Sequence, residues 1–506
     1  MPKTFTDRFL DVIERAGNRL PDAVTLFLWM MLILVVASVA AGLAGASVPH
    51  PTTHEPIAIV SLLQPAIISR WLAEMPHTFT GFAPLGTVLL AMVGVGFAEK
   101  VGLIGAALSG FVRKMPQHLL TVSIVFAGVM SSLAVDAGYV VLIPLAAVVF
   151  ANAGRHPIAG LTAAFAGVSA GFSANLFPTP LDAQLAGLTQ EAARLIAPGY
   201  EVMITSNYFI MVALVPLFTL IGAFVSERII EPRLGPWQGG AGIGDDADEH
   251  ALTEEKRRGL RNAGLAFLGI SIGLVLMTVP EGAILRDAEG SLRPFLKGMV
   301  AILSLTFLIC GIVYGITVGA VRSDKDVVRM TTASMADLGY YIILVLAMSQ
   351  FTTLFSWSNF GPWLAVHGAA WLEAMHITGS PLIVGFILLA GLINLLIGSA
   401  SAKWALLAPT FVPIFMLLGL SPEFSQAVYR MGDAFTNVIT PLMAYFPLVV
   451  VFASRHMKGF GIGSLISLML PYSLAFGIGS TALTIGWYLL DLPLGPDGTG
   501  IHYKAG

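Results

Sequence analysis

Apolar runs about as long as a bilayer is thick recur along this chain from residue 23 to residue 490. Inside hydrocarbon every backbone N–H and C=O must find a partner within the protein, so runs of this length fold as helices. The remaining composition agrees. Only 11% of the residues are charged and 56% are hydrophobic, against roughly 25% charged in soluble domains. The expected fold is an all-α integral membrane protein with residues 1–506 as a single membrane domain. The run at 23–46 is too long, and its upstream flank too mixed in charge, for a cleaved leader, so it reads as a first span. A net charge of −3 with no basic patch gives no sign of nucleic-acid binding. Cys310 is the only cysteine, which rules out an intrachain disulfide and a cysteine zinc cluster.

Part of the chain occurs twice. Tyr139, Pro144 and Pro157 are spaced as are Trp404, Pro409 and Pro422. Beyond each set lies a polar, proline-broken apolar stretch. It reads Ser173-Ala174-Asn175…Thr179-Pro180-Leu181 in one copy and Thr436-Asn437…Thr440-Pro441-Leu442 in the other. The second interval is three residues shorter. Interrupted apolar segments at corresponding places in two halves point to the binding site of a secondary transporter.

Lys and Arg around the short loops set the orientation. The N-terminal Lys3, Arg8, Arg15 and Arg19, the pair Arg113-Lys114, Arg155, the 227–262 segment, Arg322–Arg329 and Arg455-Lys458 read as inside. The 47–80, 189–204, 359–379 and 419–425 loops read as outside. Nine spans and two re-entrant hairpins follow, the hairpins at 117–153 and 380–420; each of these could instead be a pair of full spans without changing the parity. The repeats, 117–187 and 380–453, then enter from opposite faces and form an inverted repeat, with 227–262 as a cytoplasmic linker. The N-terminus is placed in the cytoplasm and the C-terminus outside. Residues 5–20 read as an inner amphipathic helix, 57–75 as an outer one, and Trp357, Trp363 and Trp371 as an outer aromatic belt.

Charged side chains at mid-membrane cost about 2.5–3.5 kcal/mol each and so need a reason. The candidates are Glu99, Lys100, Asp136, Asp182, Lys403, Arg430 and Asp433, with Asn175, Asn394 and Asn437 as neutral partners. Arg430 and Asp433 stand three apart and share a helix face. They form either an internal ion pair or a site in which Arg430 takes a substrate carboxylate and Asp433 a proton or cation. Asp182, just past the Pro178-Thr179-Pro180 break, either caps the break or titrates. Ser173, Asn175, Thr436 and Asn437 offer the hard oxygen ligands of a small cation such as Na⁺, and serve equally well as contacts between helices. Trp404 follows the small, polar tip Gly398–Lys403, where it packs the hairpin or meets a ring or cation. Glu99-Lys100 reads as an interfacial pair and His156 as structural. His156 and His376 are isolated and no H-E-x-x-H occurs, so a membrane-embedded enzyme is not expected. A passive channel remains the alternative to a transporter.

The run Gly398-Ser399-Ala400-Ser401-Ala402-Lys403-Trp404 through Pro409 and Pro413, with Tyr429-Arg430-Met431-Gly432-Asp433 and Ile439-Thr440-Pro441-Leu442-Met443, resembles the AbgT family of aminobenzoyl-glutamate transporters. The likeness extends to Asp136–Pro144, Gly154–Pro157, Gly171–Asn175 and Phe9–Asn18, and so to essentially the whole chain. It is weakest at Phe177–Pro180, near Asp182. The resemblance implies a homodimeric, bowl-shaped transporter of the bacterial inner membrane with nine spans and two hairpins, so the outer C-terminus read from the charges is expected in the periplasm. The implied cargo is p-aminobenzoyl-glutamate-like folate catabolites, sulfonamide antimetabolites, or both. It implies roles for Asp182, Asn394, Ser399, Trp404, Pro422, Arg430, Asp433 and Pro441. No cofactor is expected; the coupling ion is H⁺ or Na⁺, and the partners are a small-molecule substrate, lipid and a second copy.

Overall fold

A computed structural model describes residues 21–49, 56–113, 115–133, 138–237, 253–443 and 445–503. The amphipathic helix expected at 5–20, the motif stretch at 9–18, Asp136 and the acidic part of the linker lie outside these. The described chain is almost wholly helical, and its one sheet is the antiparallel pair Ser47–Pro49 and Pro56–Ala58. That pair corrects the outer helix expected from residue 57. The helix begins only at Pro65, because the preceding residues pair as strand, and it runs to Thr80.

Eight described helices are long and apolar enough to cross a membrane, and up to nine if one sharply bent pair is counted as a single span. They include Ala23–Leu43, Tyr208–Leu234, Glu254–Thr278, Met299–Thr317, Gly339–Trp357 and Ile462–Leu489, where the apolar runs of the sequence read as spans at 23–46, 205–226, 263–280, 298–320, 333–358 and 463–490. Two segments are broken where the sequence reads proline-broken stretches. The first divides into Pro157–Ala170 and Pro180–Ala193, the second into Pro422–Asn437 and Phe446–His456. The breaks fall at the polar, proline-bearing stretches that the sequence marked, since each proline lacks an N–H and restricts the residue before it.

Burial separates centre from periphery. Every residue of Pro157–Ala170 is buried, as is all of Pro422–Asn437 except Phe435. By contrast, Glu254–Thr278 buries only Gly259 and Ala263. The first segments of the two broken spans therefore lie at the centre, and Glu254–Thr278 lies at the periphery.

Both repeats use the same close crossing. A Cβ at Gly167 would lie 2.5 Å from the Val125 carbonyl oxygen, and one at Gly432 would lie 2.5 Å from that of Ile387. Only glycine permits this approach of the 157–170 helix to Leu120–Met130, and of the 422–437 helix to Ser380–Asn394. The three extra residues of the first copy coincide with a 3₁₀ turn, Gly171–Ser173, which follows its helix.

At the turn before Pro157, Arg155 grips Glu231 with two bonds of 2.8 and 2.6 Å. This ties the first repeat to the end of the 208–234 helix. His156 Nδ1 accepts from the Ile158 N–H and caps the helix, the structural role expected of it. Lys100 reaches across to Asp337 at 2.7 Å. Of the three outer tryptophans, Trp357 lies beneath the Arg70 guanidinium, 4.1 Å from carbon to ring centroid. Trp371 is exposed.

Candidate functional site at the hairpin tip

The 422–437 helix starts with Pro422 behind a Ser421 cap, whose hydroxyl accepts from the Phe424 N–H at 3.2 Å. Its polar residues Gln426, Arg430, Asp433 and Asn437 recur at helical spacing and form one face. That face does not pair with itself. Arg430 Nη2 donates to Asp182 Oδ1, and Lys403 Nζ donates to Asp433 Oδ1. Of the two readings of Arg430 and Asp433, the internal ion pair is not formed. The two side chains share a face, and packing supplies each with a partner from a different segment.

Asp182 both caps and pairs. Its Oδ2 accepts from the Thr179 N–H (2.6 Å) and hydroxyl (2.7 Å) in a capping box at the start of Pro180–Ala193. Its Oδ1 faces Arg430. The Arg430 guanidinium is 1% exposed, yet its Nε and Nη1 have no hydrogen-bond partner. Buried donors left unmade are costly, and those on a charged group most of all.

Asn394 closes the second cluster. It accepts from Lys403 Nζ and donates to Thr436 Oγ1 (2.7 Å), Asn437 Oδ1 (2.8 Å) and the Asp433 carbonyl (3.1 Å). Asn437 Nδ2 in turn donates to Asp433 Oδ2 at 2.9 Å. In the first repeat, Asn175 donates to Ser132 (2.8 Å) and Ser173 to the Arg430 carbonyl (3.0 Å). The four candidate cation ligands therefore divide. Thr436 and Asn437 join one cluster with Asp433, whereas Ser173 and Asn175 hold separate contacts.

Trp404 is fully buried. Its Nε1–H donates to Thr189 Oγ1 at 2.9 Å, and its ring stacks on Tyr429 at 4.6 Å. It packs the hairpin, and its stacking partner belongs to the protein itself. Ser399 caps the Ala400–Leu417 helix by accepting from the Ala402 N–H at 3.4 Å. Pro441 falls in the break between the 422–437 and 446–456 helices.

Two cavities meet at this tip. One, of about 510 Å³, is lined by Tyr139, Phe172, Ser399, Asn437, Met443 and Tyr445, within the roughly 300–1,000 Å³ typical of ligand sites. The Tyr139 and Tyr445 rings stack in its wall, 4.6 Å apart and 9° from parallel. The other, of about 360 Å³, is lined by Glu99, Ser132, Thr179, Leu181, Gln184 and Ser401. Both share Phe172, Gly398, Ser399 and Ala400. Tyr445, Phe172, Thr189 and Gln426 were not singled out by sequence reasoning. Gln426 was legible in the spacing of the polar face, but the other three carry no local signal.

Residues 8–503 match the family described as the AbgT putative transporter family. The p-aminobenzoyl-glutamate transport protein of Escherichia coli K12 is 35% identical over 487 residues, covering 96% of this chain and 95% of that one. The crystal structure of the Alcanivorax borkumensis YdaH transporter superimposes with a TM-score of 0.90 at 44% identity, covering 94% of this chain and all of that one. Neisseria gonorrhoeae MtrF, reported as illuminating a class of antimetabolite efflux pumps, gives a TM-score of 0.92 at 45% identity, covering 97% and 99%.

Proposed function

The chain belongs to the AbgT transporter family and is a multi-pass membrane transporter, and from that premise we propose an ion-coupled secondary transporter for aryl-linked carboxylates. The proposed cargo is p-aminobenzoyl-glutamate-like compounds, with sulfonamide antimetabolites sharing the aminoaryl end. The observation that carries this reading is the hairpin tip Gly398–Ala400. It separates an aromatic-walled cavity from one bordering the start of the helix that holds Asp182. The aryl ring fits against Tyr139 and Tyr445. The carboxylates are drawn toward the positive end of Pro180–Ala193 and toward Arg430, which lines neither cavity but is bonded to Asp182 in the first turn of that helix and has two unpartnered donors. The broken core helices suit a site that one repeat opens and closes against its surroundings.

The rest of the proposal is an inner-membrane homodimer with a cytoplasmic N-terminus and an outer C-terminus, the repeats inverted, driven by H⁺ or Na⁺ through Asp433. Purified protein in liposomes tests it, with labelled p-aminobenzoyl-glutamate and a labelled sulfonamide offered under imposed H⁺ or Na⁺ gradients. Accumulation above equilibrium supports coupled transport, and Asp433→Asn should abolish it while leaving exchange intact. Equilibration without accumulation under either gradient would leave the channel or facilitator reading in its place.

A further inference from the structure

The second repeat holds a cation where the first has none. At the step that carries Tyr139 to Trp404 and Pro157 to Pro422, Gly138 corresponds to Lys403 and Val168 to Asp433. The two pairs occupy like places. A Cβ at Gly138 would lie 3.0 Å from Val168 Cγ1, and Lys403 Nζ meets Asp433 Oδ1. One pair is apolar and closely packed; the other is charged and fully buried.

The ammonium sits among oxygens. Asn394 Oδ1 and Asp433 Oδ1 both accept from it. Thr436 Oγ1, Asn437 Oδ1 and the Asp433 carbonyl lie one bond further out, held by the Asn394 amide. Carboxylate, amide and hydroxyl oxygens gathered from a hairpin arm and a broken helix are what a small hard cation binds. Three bonds from Asn394 already tie these elements together, so adhesion alone does not call for a buried charge pair, which carries a large desolvation penalty.

We infer that Lys403 is a tethered cation: its ammonium fills a Na⁺-type site of the second repeat, bars inorganic Na⁺ from it, and makes the proton the coupling ion. The inference rests on the ion-coupled reading given above. Among the described residues, the titratable and charged groups facing the pair are Tyr139 from the first repeat and Tyr429 and Arg430 from the 422–437 helix. Arg430 is itself held by Asp182.

Lys403→Met removes the ammonium and keeps the rest of the stem. In the full-length protein, wild type should accumulate substrate under a pH gradient and not under a Na⁺ gradient, with the same unfolding temperature in NaCl as in choline chloride. Lys403→Met should gain a rise in unfolding temperature of about 1–3 °C in NaCl over choline. The paired variant Lys403→Met/Asp433→Asn, with no net buried charge, should fold and show no such rise.

Two results would overturn the inference: Na⁺-driven accumulation by wild type, or a folded Lys403→Met indifferent to Na⁺. Should Lys403→Met fail to fold in both salts, the wild type decides. Failure of wild type to accumulate under any gradient would sink the ion-coupled reading, whereas Na⁺-driven accumulation would sink the tethered-cation inference alone.

Discussion

Replacing Arg430 by Met separates its structural from its binding role. The substitution leaves Asp182 Oδ1 buried without its cation, and breaking a buried pair in this way costs about 3–5 kcal/mol. Asp182 Oδ2 keeps both Thr179 donors, which places the expected loss near the low end, about 3 kcal/mol. Arg430→Met/Asp182→Asn removes both charges and keeps an acceptor for Thr179, so its cost should fall to about 1 kcal/mol or less. Transport should respond differently. Losing a charge-assisted bond to a substrate carboxylate costs about 1.5–3 kcal/mol, or roughly 10- to 150-fold in kcat/KM. Both variants should therefore lose p-aminobenzoyl-glutamate transport by that factor and sulfonamide transport by much less. Unfolding midpoints in detergent and uptake of each cargo in liposomes supply the two readings. Equal loss of both cargoes, or recovery of p-aminobenzoyl-glutamate transport in the stable double variant, would show that Arg430 is purely structural.

Three further outcomes follow from named contacts. Tyr445→Ala opens the stacked wall beside Tyr139 and should raise KM for aryl substrates by about 3- to 10-fold with little change in kcat, since a ring pair contributes about 0.5–1.5 kcal/mol; an unchanged KM would move the ring site elsewhere. Gly432→Ala and Gly167→Ala each force a methyl against a backbone carbonyl and should destabilise by about 1–3 kcal/mol, while Gly273→Ala, which meets nothing within 4 Å, should be neutral in the same thermal assay. Burial first, then the neighbouring His456, holds His156 below its ordinary value of 6.5. The unfolded chain therefore binds the proton first, and stability should be full above about pH 6.5 and fall as pH drops through it. His156→Asn, which keeps a capping oxygen, should flatten that slope.

The fold class, most of the span positions and the two breaks were legible in the sequence because each rests on local physics. An apolar run of bilayer length has one economical conformation, and the breaks fall where proline stands among polar residues, at Pro178–Pro180 and Pro441, whereas Pro216, Pro409, Pro413 and Pro471 stay inside helices. The residues of the candidate site were legible too, as charges with no reason to be in a membrane. Their partnerships were not. Arg430 and Asp433 are three apart, and sequence distance alone pairs them. Only the packing of the hairpin and the first repeat's break against one helix gives Arg430 to Asp182, 248 positions away, and Asp433 to Lys403, 30 away. The same holds for Trp404, which the sequence leaves either packing the hairpin or meeting a ring or cation, and which Thr189 and Tyr429 enclose. Periodicity, breaks and composition are properties of neighbours in the chain. Which buried charge satisfies which is settled by desolvation in three dimensions, where a group must bond with whatever the fold brings within reach.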